Sequence, residues 1–208
     1  MTVPRKFPHE SEFQQTLTEN LSSDQASVII QHARMQHQAL FKNRKKYSKK
    51  ALQKHLEGFI LPGIALHQSL LANGYPREEA LVIMEMCFRE LSKPMRKRMV
   101  LLGRLPFFYP LLRIMAKPIM KANFPAEGWK IEWKEFNQES IAFDMKSCFY
   151  LDVLTEYDLP ELTSLYCWMD DLIYDEVSPY IKWDRTKTLG RGDDCCNFRF
   201  VRSGPDRE

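Results

Sequence analysis

The sequence predicts an α+β fold, an N-terminal helical region packed on a C-terminal ββααββ antiparallel-sheet layer. Two observations carry this. Apolar residues recur at helical spacing through the first 120 or so positions, whereas strict two-residue alternation appears first at Trp129-Lys130-Ile131-Glu132-Trp133 and again at Ile141-Ala142-Phe143-Asp144-Met145. Beyond them the order reads helix, helix, strand, strand, which closes the layer. The expected division is a helical region over 1–123 and an α+β region over 124–208, together one compact unit.

In chain order, residues 1–20 read as a polar lead-in. Ser22-Ser23-Asp24 offers helix caps, and Ile29, Ala33, Gln36 and Leu40 follow on one face. His32 and His37 on that helix are five apart, poor spacing for a shared metal, and read as surface or partly buried side chains. A second helix starts near Ser48 with Leu52, Leu56, Phe59 and Ile60 on one side, and Pro62-Gly63 should kink it before Leu66 and Leu70. Asn73-Gly74 is a stop, and Pro76-Arg77-Glu78-Glu79 starts a third helix that Pro94 should end near Ser92. Cys87 lies among Met84, Met86 and Phe88 and reads as packing. The prolines at 106, 110 and 118 should split the next stretch into two short helices.

After Phe124-Pro125-Ala126-Glu127-Gly128 come the two alternating strands, joined near Asn137-Gln138 as a hairpin. A short helix follows over Cys148–Tyr157. A longer one over 160–174 opens with Asp158-Leu159-Pro160-Glu161. Tyr180 to Arg185 and Cys195 to Val201 are the last strands, with Ile181, Trp183 and Arg185 on one face and Cys196, Phe198 and Phe200 on the other strand's matching face.

Composition narrows the function classes. An apolar share of 44% with 27% charged residues is that of a globular chain, which sets disorder aside. The apolar stretch from Met99 to Met120 is broken by charges and prolines and cannot span a bilayer. Met1 to Pro8 carries no apolar run, so no secretory signal is expected. Five cysteines then read as reduced thiols of a cytoplasmic protein. Between Ser92 and Ala126 there are eight Lys/Arg and no acid, and between Glu127 and Glu176 thirteen Asp/Glu against three Lys. That polarity favours docking of the basic stretch on the acidic half, or recognition of a small anion. The aromatics of the basic stretch are clustered rather than interleaved, so no nucleic-acid partner is expected. Of the two placements open to this stretch, skimming a membrane surface or lying across the acidic half, the second is favoured and membrane contact is not the expectation.

The chemistry-bearing residues concentrate between 147 and 200. On the 160–174 helix, Leu162, Tyr166, Met169 and Ile173 form a core stripe, and Thr163, Cys167, Asp170 and Tyr174 a polar stripe beside it. A thiol and a carboxylate three residues apart can share a proton, an ammonium or a metal. Asp171 should point further round, toward solvent. Cys148, at the start of its helix, stands where unpaired N–H groups stabilise a thiolate. Cys196 faces the helices while Cys195 faces away, so Cys148, Cys167 and Cys196 can converge with Asp170. Burial of each thiol as a small apolar group is the competing explanation. The glycine-containing loop 186–194 can approach a ligand closely and, with Arg185 or Arg191, hold a carboxylate. No Cys-x-x-Cys pair supports a structural zinc, but a site completed by Asp170 can accept a catalytic divalent ion, Zn or Mn. Nucleophile-elbow, P-loop, dinucleotide-binding and HExxH motifs are absent from the sequence.

The ordered set of Cys148, Leu159-Pro160-Glu161-Leu162, Cys167-Trp168-Met169-Asp170, Thr188-Leu189 and Gly192-Asp193-Asp194-Cys195-Cys196-Asn197-Phe198 resembles the L-2-amino-thiazoline-4-carboxylic acid hydrolase family. Leu70-Leu71-Ala72-Asn73-Gly74-Tyr75 with Glu79-Ala80 extends the resemblance into the helical half. The family's closing pattern carries an acid where this chain has Asn197, and commonly Arg where it has Cys195. The resemblance implies hydrolysis of a C–N bond in a small cyclic amidine or amide. On that reading Cys167 is nucleophile or metal ligand and Asp170 the base, with Cys148 and Cys196 in the same pocket. Arg185, Tyr174 and Thr163 would contact a carboxylate-bearing substrate. The ββααββ order is also similar to four-vinyl-reductase and TRAPP-like domains, which implies a non-catalytic small-molecule-binding or redox-sensing alternative.

Overall fold

A computed structural model describes residues 6–204. The chain divides into two compact units between Leu91 and Ser92.

The first unit is helical. Helix α1 (Glu10–Asn20) occupies most of the expected lead-in, whose first five residues lie outside the described ones. Its apolar face is short, Phe13, Thr16 and Leu17, with Glu10 and Glu12 at the positive end of the dipole. Helix α2 (Ser23–Asn43) is capped by Ser22, which exchanges hydrogen bonds with Gln25. It buries Ala26, Ile29, Ile30, Ala33 and His37, so the inner face passes through His37 rather than Gln36 and Leu40. Helix α3 (Lys50–His55) passes through one π-helical turn, Leu56–Ile60, into α4 (Leu61–Ala72). That wider turn precedes Pro62, which sits in the first turn of α4 and meets the expectation of a break there. Gly74, at φ 87°, closes α4 with Tyr75 N–H donating to Leu70 O and Gly74 N–H to Leu71 O. Ser69 Oγ donates to Ile29 O at 2.6 Å and links α4 to α2. Cys87 is fully buried, and that burial pushes its thiol up to about 12, consistent with packing.

Helix α5 (Arg77–Gly103) does not stop at Pro94. Proline removes one intrahelical bond at a cost of about 3 kcal/mol, and contacts of the last third offset it. Arg96 Nη1 donates to the carbonyls of Leu172 and Asp175 at 2.8 and 2.9 Å, and Gly103 O accepts from Ser178 Oγ at 2.7 Å. Helix α6 (Phe108–Asn123) begins after the expected break at Pro106, whereas Pro110 in its first turn and Pro118 inside do not interrupt it.

The sheet-bearing part of the second unit follows the expected order. Strands β1 (Ile131–Phe136) and β2 (Ser140–Met145) form the hairpin, closed by Asn137, whose Oδ1 accepts from the N–H groups of Glu139 and Ser140. Helices α7 (Phe149–Glu156) and α8 (Thr163–Tyr174) follow, then β3 (Ile181–Asp184) and β4 (Cys196–Arg202). The antiparallel sheet has the order β1-β2-β4-β3. Its register pairs Phe143 with Phe198 and Trp183 with Phe200, so one face carries an aromatic row including the stacked rings of Phe143 and Phe198, 4.8 Å apart. Asp144 on the opposite face is also buried and is held by Arg199 at 2.8 Å. Among the described residues no helix is long and apolar enough to cross a membrane.

At Gly103 an added Cβ would stand 2.2 Å from the carbonyl oxygen of Val177. Gly103→Ala should therefore destabilise by about 1–3 kcal/mol, although the same change in an open helix stabilises by about 1 kcal/mol. Urea unfolding of the two proteins measures the difference.

Candidate functional site

The site grows from the first residue of β4. Its alternation turns Cys196 toward the aromatic face shared with Phe198 and Phe200, and helix α8 lies along that face. Tyr174 packs against Trp183 and Phe200 with ring centroids 5.3 Å from each. Two turns before Tyr174, Cys167 points to Cys196, whose thiol donates to the Cys167 sulfur. The intervening loop adds two donors. Within a single 3-10 turn, Leu189–Arg191, the N–H of Leu189 donates to Cys196 Sγ at 3.2 Å and that of Gly190 to Cys167 Sγ.

These donors divide the pair. The Cys196 thiol, the Arg185 charge and the Gly190 N–H together outweigh burial and the Asp170 charge, so the Cys167 thiol ionises more readily than an ordinary cysteine. Cys196 is held as the neutral partner, because its proton is committed to Cys167 and its surroundings are dry. Cys148 is the N-cap of α7, and the N–H groups of Tyr150 and Leu151 do favour its thiolate as expected of a helix start. Burial outweighs them and pushes the thiol up to about 11, so Cys148 stands as a thiol. It lies near enough to the pair for a charge on Cys167 to oppose its own ionisation.

Asp170 sits beside them. Burial, with the neighbouring Asp171 charge, raises its carboxyl to about 6 against the pull of Arg185. Its side chain keeps 37% of its surface in solvent, so protein crowds it without sealing it. Cys148, Tyr150, Tyr166, Cys167 and Tyr174 share that half-open burial. Tyr150 and Tyr166 pack with tilted rings, centroids 4.7 Å apart, and burial raises both phenols well above normal. Burial also pushes Tyr174 up to about 12. Along α8 only Thr163 and Leu165 are buried, with Leu162 just before it, so the expected core stripe through Tyr166, Met169 and Ile173 is only half-buried.

Arg185, immediately after β3, is 1% exposed and binds α8 in three places. Nη1 donates to Asp170 at 3.1 Å, and Nη2 to Asp171 at 2.6 Å and to the Cys167 carbonyl. Its guanidinium also lies about 5.5 Å from the ring centroids of Trp183 and Phe198. Asp171, expected to face solvent, instead accepts from Arg185 and from Trp183 Nε1 at 3.0 Å. A helical wheel separates positions 170 and 171 by 100°, but the Arg185 fork is wide enough to reach both.

Thr163 is fully enclosed at the start of α8, with no hydrogen bond to its hydroxyl. Cys195 is buried on the other side of β4 and donates weakly to Asp194. Arg191 is exposed in the loop. The loop owes its shape to Asn197, whose Oδ1 accepts from the N–H groups of Thr186 and Lys187 at 3.0 and 2.6 Å while Nδ2 donates to Thr186 Oγ1. Asp193 accepts from Thr188 N–H, and Gly192 turns the chain at φ 88°. Among the described residues no three or more His, Cys, Asp or Glu are grouped so as to hold a metal ion.

Sequence reasoning did not single out Asp171, Trp183, Tyr150 and Gly190. For Tyr150 the available signal was its place two residues after Cys148. For Gly190 it was a glycine in a loop already marked as approaching a ligand.

A family model described as L-2-amino-thiazoline-4-carboxylic acid hydrolase matches residues 53–200, well over half the chain. No curated protein matches it.

An added Cβ at Gly190 would stand 3.1 Å from Cys167 Sγ, Ser164 N and Thr163 C. Gly190→Ala should push the loop off α8 and weaken the N–H bond to the sulfur. The pH dependence of Cys167 alkylation, followed by peptide mass spectrometry, should then move to higher pH.

Proposed function

The chain belongs to the L-2-amino-thiazoline-4-carboxylic acid hydrolase family, a class acting on a non-peptide C–N bond, and we propose that Cys167 and Asp170 carry out the ring opening. The observation that carries this assignment is the Cys167 sulfur, which receives hydrogen bonds from a neighbouring thiol and a backbone N–H, beside a carboxyl that titrates near 6. A nucleophile with lowered pKa next to a base poised near neutrality is the pairing that covalent catalysis uses.

The Cys167 thiolate attacks the carbon of the cyclic amidine or amide. As the C–N bond breaks, the ring nitrogen takes a proton from Asp170, and the acylated or amidinylated sulfur remains. Asp170, now ionised, removes a proton from water as it attacks the same carbon, and the thiolate leaves. Cys196 holds Cys167 in its reactive state between the two steps. Cys148 lines the site as a neutral thiol, and Tyr174 closes it beside Asp170. Thr163 supports the helix start from behind.

The proposed substrate is a small ring bearing a carboxylate. Arg185 attracts it by charge, since its fork is already engaged with Asp170, Asp171 and the Cys167 carbonyl. Asn197 stands where family members carry an acid. It supplies the same acceptor to Thr186 and Lys187 that a carboxylate would, so the loop keeps its support. Ionisable thiols at the centre also favour a reducing, cytoplasmic setting.

A divalent ion, Zn or Mn, would draw on Cys167 and Asp170. The Arg185 guanidinium already supplies positive charge against Asp170 and Asp171, which favours the route without metal. Protein prepared without added metal should turn over a cyclic-amidine substrate at full rate with well under one metal ion per chain by elemental analysis. Activity restored only by stoichiometric zinc or manganese would instead assign the metal route.

Cys167→Ala should abolish turnover, and Asp170→Asn should lower kcat on the order of 10²–10⁴-fold. Unchanged turnover in either variant would remove that residue from the mechanism.

The step in which Asp170 accepts a proton from water requires its ionised form, so the rate of that step should rise with pH through about 6. Arg185 lowers the Asp170 pKa, so Arg185→Gln should move this limb to higher pH. Single-turnover pH profiles of the wild-type and variant proteins measure the shift.

A further inference from the structure

Helix α6 takes no part in the site and has two unlike sides. One rests on the hairpin: Tyr109 donates its hydroxyl to Asn137 O at 3.0 Å, and Lys117 Nζ stands 4.1 Å from the ring centroid of Phe136 and 5.3 Å from that of Trp133. The other side carries Leu111, Ile114, Met115, Pro118, Ile119 and Ala122, spaced i, i+3, i+4, i+7, i+8 and i+11, which is one continuous helical face. It is open to solvent, with Ile114 67%, Met115 42% and Ile119 46% exposed, and Phe107 just before the helix 55% exposed. Single exposed apolar residues are ordinary, but a continuous row of them is the mark of an interaction surface.

The charges around this face point to its partner. Arg113, Lys117 and Lys121 form a row at i, i+4 and i+8, and Lys121 lies only about 20° around the helix from Ile114. Exposed Lys97, Arg98 and Arg104 precede the helix, and from Ser92 to Ala126 there is no acid. We propose that α6 lies flat on an anionic lipid bilayer, with the Leu111–Ala122 face in the acyl boundary and Arg113 and Lys121 among the headgroups. An amphipathic helix of this kind, apolar on one face and cationic along its edge, binds a membrane without crossing it. Lysine stems bury alongside the apolar row while their ammonium groups reach outward. The prolines and charges that rule out a spanning segment leave such surface binding intact.

The test is co-sedimentation of the full chain with vesicles of phosphatidylcholine alone or with roughly one-third phosphatidylserine. Binding to the anionic vesicles should exceed binding to the neutral ones by about tenfold or more, and should fall in about 1 M salt as screening shortens to a few ångström. The double variant Ile114→Glu with Ile119→Glu changes two exposed side chains outside the site. It should lose vesicle binding while keeping the wild-type circular dichroism and Cys167 alkylation profile. Ile119→Trp should show a blue-shifted emission on adding anionic vesicles. Equal sedimentation with both vesicle types, or no sedimentation of the wild-type chain, overturns the proposal. So does a double variant that turns a dimer into a monomer by light scattering with no lipid effect, which would assign the face to a second copy of the chain.

Discussion

One buried guanidinium organises the end of the second unit that carries the candidate site. Arg185 leaves the end of β3, stands against Trp183 and Phe198, and holds two adjacent carboxylates and a backbone carbonyl of α8. Burying a charge costs several kcal/mol unless it is paired and hydrogen-bonded, so the arrangement has no cheap half-formed state. The helix must sit where Asp170 and Asp171 both reach the fork, and that sets the place of Cys167 one turn earlier. The same charge draws the Asp170 proton affinity down while burial and Asp171 push it up. The balance leaves a carboxyl that changes state near neutrality.

The thiol pair depends on a second constraint, the close approach of loop 186–194 to α8. Gly190 has no room for a side chain against Ser164, Thr163 and Cys167, and this closeness lets its N–H reach the sulfur. Asn197 acts at a distance by bonding three groups of Thr186 and Lys187 so that the turn at Leu189–Arg191 stays aimed. This chain therefore carries an amide at position 197 and keeps the donors around Cys167, as a carboxylate there also would. What the loop needs there is an acceptor in place, and both side chains provide one.

The basic helix α6 shows how one charge pattern serves two purposes. Its polar side lies on Trp133 and Phe136 through Lys117, a contact of a cation with two aromatic faces. Its opposite side remains apolar and open. The amphipathic period is thus used twice, once toward the sheet and once outward.

Period-based signals were legible in the sequence because they repeat. Alternation at 129–145 and 181–200 set the strands and their inward faces, and the register pairs Phe143 with Phe198 and Trp183 with Phe200 accordingly. The 3.6-residue period placed Cys167, Asp170 and Tyr174 on one side of α8. Local rules failed where partners distant in sequence intervened. Pro94 does not end α5, since Arg96 and Gly103 are anchored some 75 residues further along the chain. Asp171 is not solvated, since Arg185 and Trp183 come from the next strand. Cys148 is not a thiolate, since burial outweighs the helix end. The sequence by itself determined the element types, the order of the layer and the residue types available for chemistry, all of which depend on neighbours a few positions apart. Tertiary structure alone decided which thiol ionises, where the carboxyl titrates and which cation balances it, because those depend on burial and on charges brought together from separate elements.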